Sequence, residues 1–181
     1  MSMKLIVLDR DGVINEDSDN YIRSLRDWVP IPGSLEAIAR LNHAGYRVIV
    51  ATNQSGLGRG YLDIETLNAI HHKIQQELSV LSAQIEAFFI CPHAPDASCR
   101  CRKPLPGLFE AIAERLQINL TEIPAIGDSF RDIQAIRAIG ASPILVLTGK
   151  GKSTLAAYRD DLSDIPIHKD LADAVDTLLA N

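Results

Sequence analysis

The chain has 181 residues, 46% of them hydrophobic and 23% charged, and a formal net charge of −5. That balance fits a single globular domain with a substantial core, spanning residues 1–181. The negative total argues against non-specific nucleic-acid binding, and no run approaches the roughly 18 apolar residues of a membrane span.

The opening segment MSMKLIVLDRDG meets charge too soon for a signal peptide, so a soluble, cytoplasmic chain is expected. KLIVL at 4–8 predicts the first strand. DRDG follows it, with Asp9 and Asp11 one residue apart and Gly12 behind them. A plain Asp-Gly turn accounts for this. A calcium loop does not, because position 5 counted from Asp9 is Val13 and the glycine comes too early. A third reading is phosphoryl transfer, with Asp9 as nucleophile and Asp11 as general acid. In an extended backbone Arg10 would turn away and leave both carboxylates facing one pocket. The residues alone leave turn and catalysis open.

PGSLEAIARLNHAG predicts a helix with Ser34 as N-cap and Gly45 past its end. RVIVAT at 47–52 predicts a second strand. Its sequel, Thr52, Asn53, Gln54, Ser55 and three spaced glycines, fits neither nucleotide-loop spacing. It reads as a polar loop, or as a hydroxyl and backbone amides for phosphate oxygens. Apolar residues at 64, 67, 70, 74, 78 and 81 predict one face of a long helix.

IEAFFI at 85–90 predicts a third strand, followed by all three cysteines. Cys91, His93, Cys99 and Cys101 offer three thiolates and one imidazole, a complete set for tetrahedral, structural zinc. Arg102 and Lys103 come next, either a solvated pair or cations for a phosphate. Helices are predicted over GLFEAIAERL, FRDIQAIRAIG and LADAVDTLLA, and strands at 124–127, 143–147 and 165–168. Asp128, after the fourth strand, is either a helix N-cap or a Mg²⁺ ligand, with Asp132 one helical turn on. His43, His71, His72 and His168 read as structural.

The alternation predicts an α/β fold: a doubly wound, Rossmann-like, mainly parallel sheet with helices on both faces. Ligands of such sheets bind beyond the carboxyl ends of the strands. Asp9, Thr52, Cys91, Asp128 and Thr148 should therefore crowd one edge.

In this order the motifs resemble the haloacid dehalogenase superfamily of phosphatases over almost the whole chain. Its DxDG motif matches Asp9, Asp11 and Gly12; its Thr, Lys and acidic motifs match Thr52, Lys103 and Asp128 with Asp132. Together with the cysteine loop, the chain resembles the branch containing the heptose-bisphosphate phosphatases. The histidinol-phosphate phosphatases are the neighbouring branch with the same zinc loop. The resemblance implies a capless enzyme, Mg²⁺ held by Asp9, the backbone of Asp11 and Asp128, and a small phosphorylated sugar as substrate. It implies that Thr52 and Lys103 stabilise the phosphoryl group. Substrate contacts are expected from Asp17, Ser18, Asp19, Asn20, Asn53, Gln54, Ser55 and Arg102, with Arg102 at a distal phosphate or sugar. A monomer without membrane or nucleic-acid partners is expected, working on heptose precursors of bacterial surface glycans. Rival expectations are a histidinol-phosphate phosphatase, a phosphotransferase and a non-catalytic zinc-bearing module.

Overall fold

The computed structural model describes residues 4–180. Six parallel strands form one sheet in the order β3-β2-β1-β4-β5-β6. They are β1 (Leu5–Leu8), β2 (Arg47–Asn53), β3 (Ala87–Cys91), β4 (Pro124–Gly127), β5 (Ser142–Val146) and β6 (Ile167–His168).

The period of two along each strand divides the core. Ile6, Leu8, Val48, Val50, Ile126, Ile144 and Val146 pack on one face, with helices α1 (Ser34–His43), α3 (Ile64–Val80) and α7 (Leu171–Ala180). Leu5, Val7, Ile49, Ala51 and Ala125 pack on the other, with α4 (Gly107–Leu116) and α5 (Phe130–Ala138). Strands covered on both faces explain the continuous apolar runs in the sequence.

Three local expectations change and a fourth holds. Ser34 does not cap α1; its hydroxyl donates to Ile14 O at 2.6 Å, and Gly33, at φ 82°, precedes the helix. Ile64 is 51% exposed, so the buried face of α3 runs from Leu67 to Leu78. Two short helices, α2 (Ser55–Gly58) and α6 (Gly151–Ala157), arise in glycine-containing stretches without helical periodicity. Between β1 and α1, residues 9–33 form turns and isolated bridges only, so no cap domain is inserted there.

After β1 the chain builds outward through β2 to β3, then returns to place β4 on the other side of β1. The crevice at this reversal is where doubly wound sheets bind ligands. Asp9, Asn53 and Asp128 stand at the carboxyl ends of the three central strands.

Candidate active site

A pocket of about 230 Å³ opens over those strand ends. Asp9, Asp11, Thr52, Lys103, Asp128 and Asp132 all line it. Four segments distant in sequence therefore meet.

Lys103 sits at the centre, 2% exposed. Its ammonium donates to Ala51 O at 2.9 Å and contacts Asp9 Oδ1 at 3.1 Å and Asp132 Oδ1 at 2.6 Å. Three donors thus meet three acceptors. Burial works against its charge, but the facing Asp132 and Asp9 outweigh burial and raise its pKa. Asn53 fixes the backbone here: its amide donates to Lys103 O and its carbonyl accepts from Lys103 N, both at 3.1 Å.

Asp9 takes the Arg10 N–H on Oδ1 at 2.8 Å. Burial lifts its pKa to about 7; Lys103 opposes the rise, while Asp132 and Asp11 add to it. Asp128 rises to about 8, through burial and then the charges of Asp132 and Asp9. Such crowding favours a cation.

Arg10 does not turn away from the site. The chain bends directly after Asp9, with Arg10 O accepting from the amides of Val13, Ile14 and Asn15. The alternation of an extended strand therefore ends at β1. The Arg10 guanidinium, fully buried, forks onto Asp11 at 2.9 and 3.1 Å. Asn15 and Gln54 add one hydrogen bond each to Asp11. Burial would raise the Asp11 pKa; the Arg10 charge, with these hydrogen bonds, overcomes it and lowers the pKa. His71 lies 3.2 Å from Arg10 Nη1 and stacks on Phe88. Burial, then the Arg10 charge, bring its pKa down to about 3, so it stays neutral and accepts.

Thr52 Oγ1 accepts from Gln54 Nε2 at 2.9 Å, which leaves the hydroxyl proton for a ligand. Asn53, Gln54 and Ser55 line the pocket, but both amide side chains are already engaged with Lys103 and with Asp11 and Thr52. Asp17, Ser18 and Asp19 also line it. Asn20 does not; it faces a neighbouring surface hollow, where its carbonyl accepts from Arg23 Nε at 2.6 Å. Lys150 was missed from sequence. Its amide donates to Asp128 Oδ2 at 2.7 Å and its ammonium reaches Asp17 at 3.2 Å, tying the β5 end to both.

Glycine is required at two points. Cβ atoms added at Gly12 (φ +83°) or Gly149 (φ +52°) would lie 2.1 or 2.2 Å from Asp128 Oδ2. Both positions have left-handed backbone and no space.

Two groups could hold metal ions. Asp9, Asp128 and Asp132 offer carboxylate oxygens within 4.8 Å of one another. Hard oxygen donors of this kind fit Mg²⁺. Asp132 is committed elsewhere, with Oδ1 on Lys103 and Oδ2 on Ser129 N and Oγ. It acts as the lysine's counter-ion, which leaves Asp9 and Asp128 as the pair that could hold a metal ion.

The second group is Cys91, His93, Cys99 and Cys101. Their Cys91–Cys99 and Cys91–His93 separations are 3.8 and 3.6 Å, while Cys101 Sγ lies nearer, 3.1 Å from Cys91 Sγ and 3.2 Å from His93 Nδ1. Zinc bonds of about 2.3 Å to sulfur and 2.0–2.1 Å to nitrogen give tetrahedral edges of about 3.8 and 3.6 Å, which the first two separations match and which Cys101 would reach by moving outward by roughly half an ångström. Burial, with hydrogen bonding from Cys101, pushes the Cys91 thiol up to about 12, a shift that a cation would reverse. Cys99→Ser should lower bound zinc and reduce the melting temperature by roughly 5–10 °C, at about 2–4 °C per kcal/mol for a domain of this size. Elemental analysis and a thermal melt read both effects; wild-type protein without zinc would remove the metal from the loop.

A parallel sheet carrying two strand-end aspartates, a buried lysine and an acidic metal pair defines a haloacid dehalogenase-like phosphatase. Comparison with known proteins agrees. The HAD-hydrolase-like family matches residues 100–174, and the polynucleotide kinase 3 phosphatase family matches residues 4–136. A D-glycero-beta-D-manno-heptose-1,7-bisphosphate 7-phosphatase of Bordetella bronchiseptica is 54% identical over 154 residues, covering 85% of this chain and 86% of that one. Its namesake from Pseudomonas putida is 53% identical over 153 residues, covering 84% and 87%. A crystal structure of the B. bronchiseptica D,D-heptose 1.7-bisphosphate phosphatase, complexed with magnesium and phosphate, matches with TM-score 0.95 and 50% identity. It covers 98% of this chain and 99% of that chain. The chain belongs to the heptose-1,7-bisphosphate 7-phosphatase family of these phosphatases.

Proposed function

We propose that the chain removes the 7-phosphate of D-glycero-D-manno-heptose 1,7-bisphosphate through an aspartyl-phosphate on Asp9. The carrying observation is the meeting of Asp9, Lys103 and Asp128 in one pocket, in a chain with relatives of that name.

Asp9 attacks phosphorus in line. Its oxygen–phosphorus bond forms as the bond from phosphorus to the sugar oxygen breaks. Lys103 and the Thr52 hydroxyl meet the charge on the transferring phosphoryl oxygens. Asp11 gives its proton to the leaving sugar oxygen, then takes one from the water that cleaves the acyl phosphate. Its lowered pKa suits the second half of that cycle. The first half needs the carboxyl protonated and clear of the Arg10 fork. Asp9, Asp128 and the Asp11 carbonyl would hold Mg²⁺, which when bound would supply charge neutralisation on the phosphoryl oxygens. Asp17, Ser18 and Asp19 address sugar hydroxyls, and Arg102 addresses the distal end of the substrate.

The reading includes a monomeric cytoplasmic enzyme acting in heptose supply for bacterial surface glycans. No described helix is long and apolar enough to cross a membrane. The test measures phosphate release from both anomers of the heptose bisphosphate, from histidinol phosphate and from a 3′-phosphorylated oligonucleotide. A kcat/KM for the heptose bisphosphate well above the other two is expected. Preference for histidinol phosphate or the oligonucleotide would overturn the substrate.

The magnesium dependence has its own expected outcome. Chelation should stop phosphate release from the heptose bisphosphate, and added Mg²⁺ should restore it. Turnover persisting in fully chelated enzyme would refute the metal's part in the reaction.

A further inference from the structure

Gln54 follows the end of β2, where a substrate contact was expected. Its side chain is instead spent inside the protein. The residue is 6% exposed, and its backbone amide donates to Cys91 O at 2.8 Å, tying it to the end of β3. Nε2 donates to Asp11 Oδ2 at 3.1 Å and to Thr52 Oγ1 at 2.9 Å, which uses both amide protons. Oε1 accepts from Arg10 Nη2 at 3.2 Å.

That orientation is forced. Turning the amide over would set its oxygen against the Asp11 carboxylate and its protons against the Arg10 guanidinium. Arg10 is itself fixed at both ends. Nε and Nη2 fork onto Asp11, and Nη1 lies 3.2 Å from His71 Nε2 on α3. A guanidinium only donates, so His71 accepts through Nε2. His71 does not line the pocket. The polarity of the bonds therefore runs one way, from Arg10 through Gln54 to Thr52.

Thr52 stands at the receiving end. It is 1% exposed, its hydroxyl oxygen takes the Gln54 proton, and its own proton has no acceptor among the described residues. A free hydroxyl rotates and can donate or accept. One that already takes a proton from a fixed amide presents its own to the pocket. A donor set in advance needs no reorganisation as charge develops on a phosphoryl oxygen.

We propose that Gln54 is a positioning residue that makes the Thr52 hydroxyl an obligate donor to the transferring phosphoryl group, its amide locked by Arg10 and His71. This rests on the proposed phosphoryl transfer to Asp9, and it replaces the substrate contact expected of Gln54.

The test is a double-mutant cycle on the Mg²⁺-loaded enzyme, comprising wild type, Gln54→Met, Thr52→Val and the pair. Each is measured for kcat and KM on the heptose 1,7-bisphosphate, for inhibition by orthovanadate, and by a thermal melt. Methionine keeps the length of glutamine and brings no proton. Vanadate mimics five-coordinate phosphorus and needs no proton transfer, so it separates the Thr52 route from the Gln54 bond to Asp11. Thr52→Val should cost about 10²–10³-fold in turnover, the scale for losing one oxyanion donor. Gln54→Met should cost about 10-fold, one net hydrogen bond. The loss should fall on kcat rather than KM, because the bond strengthens only in the transition state. Vanadate inhibition should weaken in parallel. Added to Thr52→Val, Gln54→Met should weaken vanadate by less than about 2-fold, because the hydroxyl it acts on is gone. His71→Gln, which keeps an acceptor, should stay near wild type, whereas His71→Leu should lose vanadate affinity as Gln54→Met does.

Losses that multiply in the double variant make Gln54 a direct contact and overturn the proposal. So does a Gln54→Met variant that melts lower but binds vanadate as wild type does. Wild-type turnover in Thr52→Val removes the donor and the relay, and leaves Asp9 as nucleophile. A wild type inactive on the heptose bisphosphate removes the substrate reading alone, and the vanadate cycle then decides the relay by itself.

Discussion

Asp9→Asn is expected to reduce phosphate release by roughly 10⁴-fold or more, the scale on which covalent machinery fails when one member is removed. The amide cannot form the acyl phosphate, and no other carboxylate shares its place at the end of β1. The same change should leave the protein as stable as before, or more so. Burial already pushes the Asp9 pKa to about 7, so the ionised carboxylate is costly where it stands. Asparagine keeps an oxygen for Lys103 and for the Arg10 amide while removing that charge. The two readouts are steady-state turnover and the denaturation midpoint, with acid-quenched enzyme checked for covalent phosphate. Readily measurable turnover with a labelled aspartate elsewhere would take the nucleophile's role from Asp9.

Lys103→Met is expected to fail in both respects. Its removal leaves Asp9 and Asp132 facing each other, buried and without a cation. Breaking a buried pair from one side costs about 3–5 kcal/mol. Losing the positive charge proposed to face the phosphoryl group should cost about 10²–10³ in turnover. The stability deficit should shrink as the pH falls. In wild type, Lys103 and Ser129 overcome burial and hold Asp132 below its ordinary 3.8. That depressed value contributes stability above the unfolded pKa, and the contribution is lost as pH falls through the folded one. The variant has none of it to lose. Adding Asp132→Asn should restore much of the stability and none of the turnover. If the single variant melts like wild type at neutral pH, the buried triad does not carry the weight assigned to it.

The strands were legible in sequence because each is an apolar run short enough to be a strand and bounded by turn residues. Their common edge then followed from the rule for doubly wound sheets, and it placed Asp9, Thr52 and Asp128 together in advance, whereas Lys103 was expected beside them only from the family resemblance. Errors arose where a side chain's partner is remote in sequence. Arg10 was expected to point away because alternation holds only while the chain is extended, and the chain turns at once. Ser34 resembles a cap, yet its hydroxyl is taken by Ile14 O, 20 residues earlier. Asp132 was visible as an acid one turn past Asp128, but its ion pair with Lys103 was not. Lys150 carried no motif and entered the site only because β5 lies beside β4. Asn20 lies outside the pocket because it sits within a turn, with Ser18 O accepting from Tyr21 N.

The glycines at 12 and 149 close against the Asp128 carboxylate with no room for a side chain. The floor that handles the cleaved group is thereby frozen: almost any replacement there damages the chemistry itself. The mouth is made differently, from the open loop at residues 16–24 and exposed positions such as Arg131. Substitutions at the rim can therefore change what lines the mouth without disturbing the carboxylates at the strand ends.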